Sequence, residues 1–109
     1  MRNRRLKGVA SVTVALTVKP GTVKRGGTVL VSGVAGGCTA ADQVTIISRA
    51  FSASHSFAGV PAVFAQVGSA GRFSITTRIP ATRSPGSYLL TARCGGGNLG
   101  VSARLAITA

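Results

Sequence analysis

Short segments of alternating apolar and polar residues, separated by glycine and proline turns, constrain the fold of this chain most strongly. In segment 72–79 every second residue is Phe, Ile, Thr or Ile, and the residues between them are Arg, Ser, Thr and Arg. A period of two places alternate side chains on opposite faces of a β-strand, and no helical period of useful length is present. The pattern predicts an all-β sandwich of about seven strands. The predicted strands cover 11–19, 28–34, 43–49, 60–67, 72–79, 87–94 and a last strand that includes 101–107, with 51–59 predicted as a loop.

Composition agrees with one small β-domain. The chain has 109 residues, which suffices for a single hydrophobic core. Aromatic residues make up 5% and tryptophan is absent, so the core must consist of Val, Ile, Leu and Ala. Branched aliphatic side chains pack well on a pleated surface, as stacked sheets require.

The two cysteines, Cys38 and Cys94, bear on redox state and compartment. Neither belongs to a CxxC pair or lies near the single histidine, so no metal site is predicted. If they form a disulfide, it closes a loop of 56 positions, and stabilises the fold by roughly 4 kcal/mol in the chain-entropy description. Such a bond indicates an oxidising compartment. Two free buried thiols are the alternative.

The charge balance is strongly positive. Thirteen Lys and Arg residues face one acid, Asp42, for a formal net charge of +12. This surface should attract polyanions such as nucleic acid, anionic lipid or an acidic wall polymer. We divide the chain into a basic arm, 1–9, and a sandwich domain, 10–109. The arm is either a partner-binding segment or a solvated tail, and its cations are Arg2, Arg4, Arg5 and Lys7.

The N-terminal region imitates an export signal without completing one. A charged stretch precedes an apolar one at 8–18, but the latter alternates with Ser and Thr and therefore predicts a first strand. The missing signal suggests a misplaced start or a module cut from a longer protein. No apolar run approaches the roughly 20 residues of a transmembrane helix.

The inventory of titratable residues argues against catalysis. The chain has one Asp, one His and no Glu, whereas general acid–base chemistry needs positioned titratable groups. Asp42 precedes a strand, where aspartate commonly hydrogen-bonds turn backbone, and His55 lies in a polar loop. Composition permits a Ser–His–Asp assembly from these two residues and a serine, but there is no G-x-S-x-G elbow. We expect no catalytic residue, no metal and no cofactor.

Three runs of sequence carry a family resemblance: LTVKPGTVKRGGTVLVSGVAGGC, GRFSITTRIP and PGSYLLTARC. They resemble the bacterial immunoglobulin-like domains of secreted and cell-surface proteins, and the architecture is similar to the neocarzinostatin-type sandwich. The resemblance implies a Greek-key sandwich in which Cys38 bridges to Cys94, and it places Tyr88 at a strand corner with its hydroxyl bonded to nearby backbone. The core tryptophan of antibody domains is absent, as are the further cysteines and aromatic cleft of the chromoproteins. The functions of such domains include adhesion, spacing and binding, so the fold alone does not choose among them.

Strand phase predicts a contact face. In the immunoglobulin-like order the third, sixth and seventh strands are neighbours, and a four-residue turn at 95–98 would pair Cys94 with Leu99 and place Arg104 opposite Leu89. Guanidinium groups bind carboxylate or phosphate while neighbouring aliphatic side chains exclude water. An ordinary solvated sheet is the alternative. The candidate partner-binding face comprises Ile47, Arg49, Leu89, Arg93 and Arg104.

These features together predict a non-catalytic structural or binding module, secreted or displayed on a surface, that contacts a protein or an anionic polymer. One alternative is a polyanion-binding protein. Nucleic acid would then bind non-specifically, because Phe73 and Tyr88 point inward and offer no stacking platform. The other alternative is a virion-surface or particle-assembly protein. The sequence does not determine the oligomeric state.

Overall fold

The computed structural model describes residues 14–38, 42–94 and 97–109, which form an all-β fold, as predicted. These residues contain nine strands rather than about seven. The two additional strands have three and two residues, too few to show an alternating pattern in the sequence. The strands are β1 (Val14–Lys19), β2 (Thr22–Lys24), β3 (Thr28–Ala35), β4 (Gln43–Ile47), β5 (Ser56–Phe57), β6 (Val60–Gln66), β7 (Arg72–Arg78), β8 (Gly86–Cys94) and β9 (Gly97–Thr108).

The strands form two sheets. The larger sheet has the order β2-β9-β8-β4-β6-β5, and the smaller has the order β1-β3-β7. Neighbouring strands are antiparallel except β2 and β9, which run parallel. The chain therefore passes from the smaller sheet to the larger between β1 and β2, at Pro20 and Gly21.

Aliphatic side chains from both sheets fill the core, as the period of two predicts. On β3 the alternate residues Val29 and Val31 are buried, and on β8 Leu90 and Ala92 are buried. Gly33 of β3 makes room for the ring of Phe73 on β7. A Cβ at this position would lie 2.8 Å from the Phe73 Cζ and would collide with the Ala15 carbonyl oxygen.

The prediction of a loop at 51–59 is wrong in part, because this segment contains a buried side chain and a short strand. Phe51 and the preceding Ala50 are fully buried, and β5 within this segment pairs with Val60 and Pro61. The strand predicted to reach residue 49 ends at Ile47, because a turn follows in which the Ser48 carbonyl accepts the Phe51 N–H at 3.2 Å. The turn directs the Phe51 ring into the core.

One disulfide, Cys38–Cys94, links the two sheets, with the two Cα atoms 6.3 Å apart. Cys38 follows β3 of the smaller sheet, and Cys94 ends β8 of the larger one. At the other end of β8 the Tyr88 hydroxyl donates a hydrogen bond to the Ser84 carbonyl oxygen at 2.5 Å. The hydroxyl thus bonds to nearby backbone, as the resemblance implied.

Candidate partner-binding groove

The outer face of the larger sheet carries the predicted contact residues on three adjacent strands, β4, β8 and β9. Arg104 of β9 pairs with Leu89 of β8, and Ile47 of β4 pairs with Thr91 of β8. The two strands β4 and β9 flank β8, in the predicted order. Because Leu89 and Thr91 are two residues apart, their side chains leave the sheet on the same side.

The hairpin between β8 and β9 differs from the prediction. Gly97 pairs with Cys94, so the expected pairing of Cys94 with Leu99 is wrong. The register then shifts between Asn98 and Ser102, where β9 bulges and the Gly100 N–H donates to the Asn98 Oδ1 at 2.8 Å. The bulge shifts the register by an even number of residues, so inward and outward positions keep their phase. Arg104 therefore still lies opposite Leu89.

Four of the five predicted residues line one groove of about 460 Å³ on this face. Leu89 is 45% exposed, Ile47 is half-buried, and Arg49 and Arg104 are exposed. We call this the arginine groove. Its lining residues are Ile47, Ser48, Arg49, Val60, Ser87, Tyr88, Leu89, Thr91 and Arg104.

Arg93, the fifth predicted residue, lies outside the arginine groove. Arg93 is half-buried and pairs with Thr45 of β4. It lies four residues after Leu89 on β8, which is about 13 Å at the usual rise of a strand. Its guanidinium carbon lies 5.0 Å from the centroid of the Phe57 ring, a cation–π distance. Strand phase placed Arg93 on the correct face, but no local pattern in the sequence indicates that β5 brings Phe57 into contact with it.

The two arginines of the groove have no carboxylate beside them. Asp42 is the chain's one acidic residue, and its carboxylate lies near the disulfide, with ligand atoms of Asp42, Cys38 and Cys94 within 4.8 Å of one another. Asp42 immediately precedes β4, whereas Ile47, at the opposite end of that strand, lines the groove. A bound anion would therefore meet two guanidinium groups and two aliphatic side chains without a competing acid from the described residues.

Asp42 and His55, the two residues that a catalytic site would combine, do not lie close to each other. The Asp42 carbonyl accepts the Val67 N–H at 2.7 Å, and the His55 carbonyl accepts the Ala62 N–H at 3.0 Å. Since Val67 and Ala62 are five residues apart along one extended segment, Asp42 and His55 lie about 16 Å apart. The His55 ring instead packs edge-on against Phe64, with 5.4 Å between centroids.

The two cysteine sulfurs beside Asp42 do not make a metal site with it. The sulfurs near Asp42 are bonded to each other, and a disulfide sulfur is not the thiolate that binds metal ions. The arm residues, Arg2, Arg4, Arg5 and Lys7, lie outside the described residues.

No protein-family model matches this chain, and no curated protein or solved structure is significantly similar to it. Within the described ranges, no helix has the length and apolarity needed to cross a membrane.

Proposed function

We propose that the chain is a non-catalytic binding module, an exported or surface-displayed sandwich of immunoglobulin-like, Greek-key type. The strand orders β1-β3-β7 and β4-β8-β9, the disulfide between the sheets and the Tyr88 corner bond support this assignment. The disulfide also supports an oxidising, extracellular location. The separation of Asp42 from His55 supports a function without acid–base catalysis.

The arginine groove carries the proposal. Arg49 and Arg104 supply two guanidinium groups that can bind a carboxylate or phosphate. Ile47 and Leu89 supply apolar contact that excludes water from those charged hydrogen bonds. The mixture fits an exposed protein segment that presents an acidic side chain next to an apolar one.

Other arginines of the described chain favour a protein partner over a long polyanion. Arg78 Nε donates to the Gly26 carbonyl at 2.9 Å, and Arg83 Nη2 donates to the Phe51 carbonyl at 2.7 Å. Together with the contact of Arg93 on Phe57, these interactions hold three guanidinium groups against the protein itself. The groove is then a local cationic site, whereas a polyanion-binding surface needs a continuous basic track.

A pair of charge-matched variants tests this proposal. Arg49→Glu/Arg104→Glu reverses the groove, and Lys19→Glu/Lys24→Glu makes the same change at two exposed residues of β1 and β2. Both variants lower the formal net charge from +12 to +8. The wild type and both variants are immobilised and incubated with extract of the native source at two salt concentrations, and bound proteins are identified by mass spectrometry.

We expect a protein that the wild type and the lysine variant retain and the groove variant loses. Retention on a heparin column is the parallel measurement. If both variants lose heparin retention and bound material equally, net charge governs binding, and the polyanion-binding alternative replaces the groove. A stoichiometric association with a large particle would support the assembly-protein alternative.

A further inference from the structure

A second surface, separate from the arginine groove, is the open edge of β7. In the smaller sheet β7 pairs with β3 on one side only, and among the described strands none pairs with its other side. An unpaired strand edge presents backbone donors and acceptors to any extended segment that approaches it.

The hydrogen-bond phase of β7 identifies the groups that point outward. Ile79 donates its N–H to the Gly27 carbonyl at 2.8 Å, and this pair continues the register between β3 and β7. In an antiparallel pair the bonded positions alternate, so Phe73, Ile75 and Thr77 bond toward β3. The backbone N–H and C=O groups of Ser74, Thr76 and Arg78 therefore point away from β3, toward the open side of the strand.

At the Arg72 end of this edge the backbone groups are already hydrogen-bonded within the chain. The Arg72 N–H donates to the Ser69 carbonyl, and the Arg72 carbonyl accepts the Gly68 N–H at 2.7 Å. The accessible edge thus extends from Ser74 to Arg78, about 14 Å of strand.

A partly apolar cleft of about 230 Å³ borders the accessible edge. It lies between β7 and β6, and its lining includes the half-buried side chains of Val63, Phe64 and Ile75. A strand added to β7 would direct alternate side chains toward this cleft. Those side chains should be apolar, because they would cover Ile75 and Val63.

Charge selects among the strands that could add to this edge. Arg72 and Arg78 lie on the outer face at the two ends of β7 and are exposed. They are six residues apart, about 20 Å in a strand. The bond from Arg78 Nε to the Gly26 carbonyl uses one of the five guanidinium N–H donors of this residue. A partner strand along residues 74–78 would gain a charge pair from an acidic residue opposite Arg78, and a second from an acidic residue opposite Ser74, which lies diagonal to Arg72.

The same charges disfavour two other occupants. Antiparallel pairing of the accessible edge with that of a second copy, centred on Thr76, would place each Arg78 opposite Ser74 and diagonal to Arg72 of the other copy, and this approach of like charges at both ends is destabilising. The chain's own N-terminal residues 1–9 contain four cations and no acid.

We propose that the β7 edge binds an extended acidic segment of another protein as a fourth strand of the smaller sheet. The segment has acidic residues four positions apart on its outer side, opposite Arg78 and Ser74, and apolar residues at the inner positions between them. Main-chain hydrogen bonds to Ser74, Thr76 and Arg78 supply affinity, and the two arginines with the cleft supply selectivity. This site is independent of the arginine groove.

The probe is a synthetic, end-capped pentapeptide of sequence Glu-Val-Thr-Val-Glu, which matches the accessible edge in length, and the control peptide carries Lys in place of both Glu residues. Amide resonances of the isotope-labelled protein are followed by NMR during titration. At saturation with the Glu peptide, we expect amide hydrogen exchange at Ser74, Thr76 and Arg78 to slow at least tenfold. The Lys peptide should bind at least tenfold more weakly.

Two variants at one position separate backbone pairing from side-chain contact. Thr76→Pro removes the outward N–H at an edge position, where proline is compatible with a strand. Thr76→Val keeps the N–H and a side chain suited to a strand. Thr76→Pro should lose at least tenfold in affinity and Thr76→Val should bind like the wild type, while Arg72→Glu should weaken binding of the Glu peptide.

Several results would overturn this proposal. They are equal binding of the Lys and Glu peptides, full binding by folded Thr76→Pro, or unchanged exchange at the three amides of the wild type. The exchange measurement decides the matter even if Thr76→Pro fails to fold. Dimerisation of the wild type that Thr76→Pro abolishes would assign the edge to a second copy instead. Arg49→Glu/Arg104→Glu should bind the peptide normally, so failure of the groove proposal and failure of the edge proposal are distinguishable.

Discussion

Replacing Cys38 and Cys94 by alanine removes the link between the two sheets and should lower the free energy of unfolding substantially. The bond closes a loop with a sequence separation of 56. The chain-entropy relation gives a loss of about 14 cal/mol/K for a loop of this length, or about 4 kcal/mol at 25 °C. With about 4 °C per kcal/mol for a domain of this size, the melting temperature should fall by about 16 °C.

Urea unfolding, followed by circular dichroism, measures this effect directly. The variant should unfold at a lower midpoint and with a larger dependence on urea, because its unfolded chain expands further without the cross-link. Wild-type protein in excess reductant is the control, since it keeps both sulfur atoms and loses only the bond. It should match the variant within about 1 kcal/mol.

Equal midpoints and slopes for the oxidised wild type, the reduced wild type and the double variant would refute the reasoning. That result would mean that Cys38 and Cys94 do not restrict the unfolded chain. A destabilised alanine variant together with an unaffected reduced wild type would instead point to the packing of the side chains.

Three other substitutions test parts of the core and the corner. Phe51→Ala should cost about 3–5 kcal/mol in urea unfolding because the ring is fully buried, whereas Phe57→Ala, at 39% exposed, should cost much less. Gly33→Ala should destabilise by about 1–3 kcal/mol, since its methyl group would collide with the Ala15 carbonyl and the Phe73 ring. Tyr88→Phe should lower the unfolding free energy by about 1 kcal/mol through loss of the bond to Ser84, and an unchanged midpoint would contradict that role.

The alternation of apolar and polar residues predicted the strands that have one solvent-exposed face and one buried face. On β7 and β8 every second residue faces the other sheet, so residues such as Phe73 and Leu90 could be assigned to the core from phase alone. Phe51 escaped this reasoning because it lies in a Ser- and Ala-rich segment without a period. Its burial depends on the turn at Ser48, which has no distinctive composition.

The groove could be predicted as far as the strand order and the side-chain phase could be predicted. Strand order and phase placed Arg49, Leu89 and Arg104 together, and an even register shift in the β8–β9 hairpin left that phase unchanged. Arg93 shares the face but contacts Phe57 of β5, a strand of two residues. Strands this short are set by tertiary contacts, which a local pattern cannot predict.

The parallel pairing of β2 with β9 has a mechanical consequence. Thr22, Val23 and Lys24 lie beside Ala106, Ile107 and Thr108, so a force that pulls the two ends of the chain apart loads these backbone bonds in shear. Bonds loaded in shear must break together, whereas an antiparallel hairpin pulled from its open end unzips bond by bond. Single-molecule stretching should show one high-force rupture, after which residues 38–94 remain inextensible until the sulfur bridge is reduced.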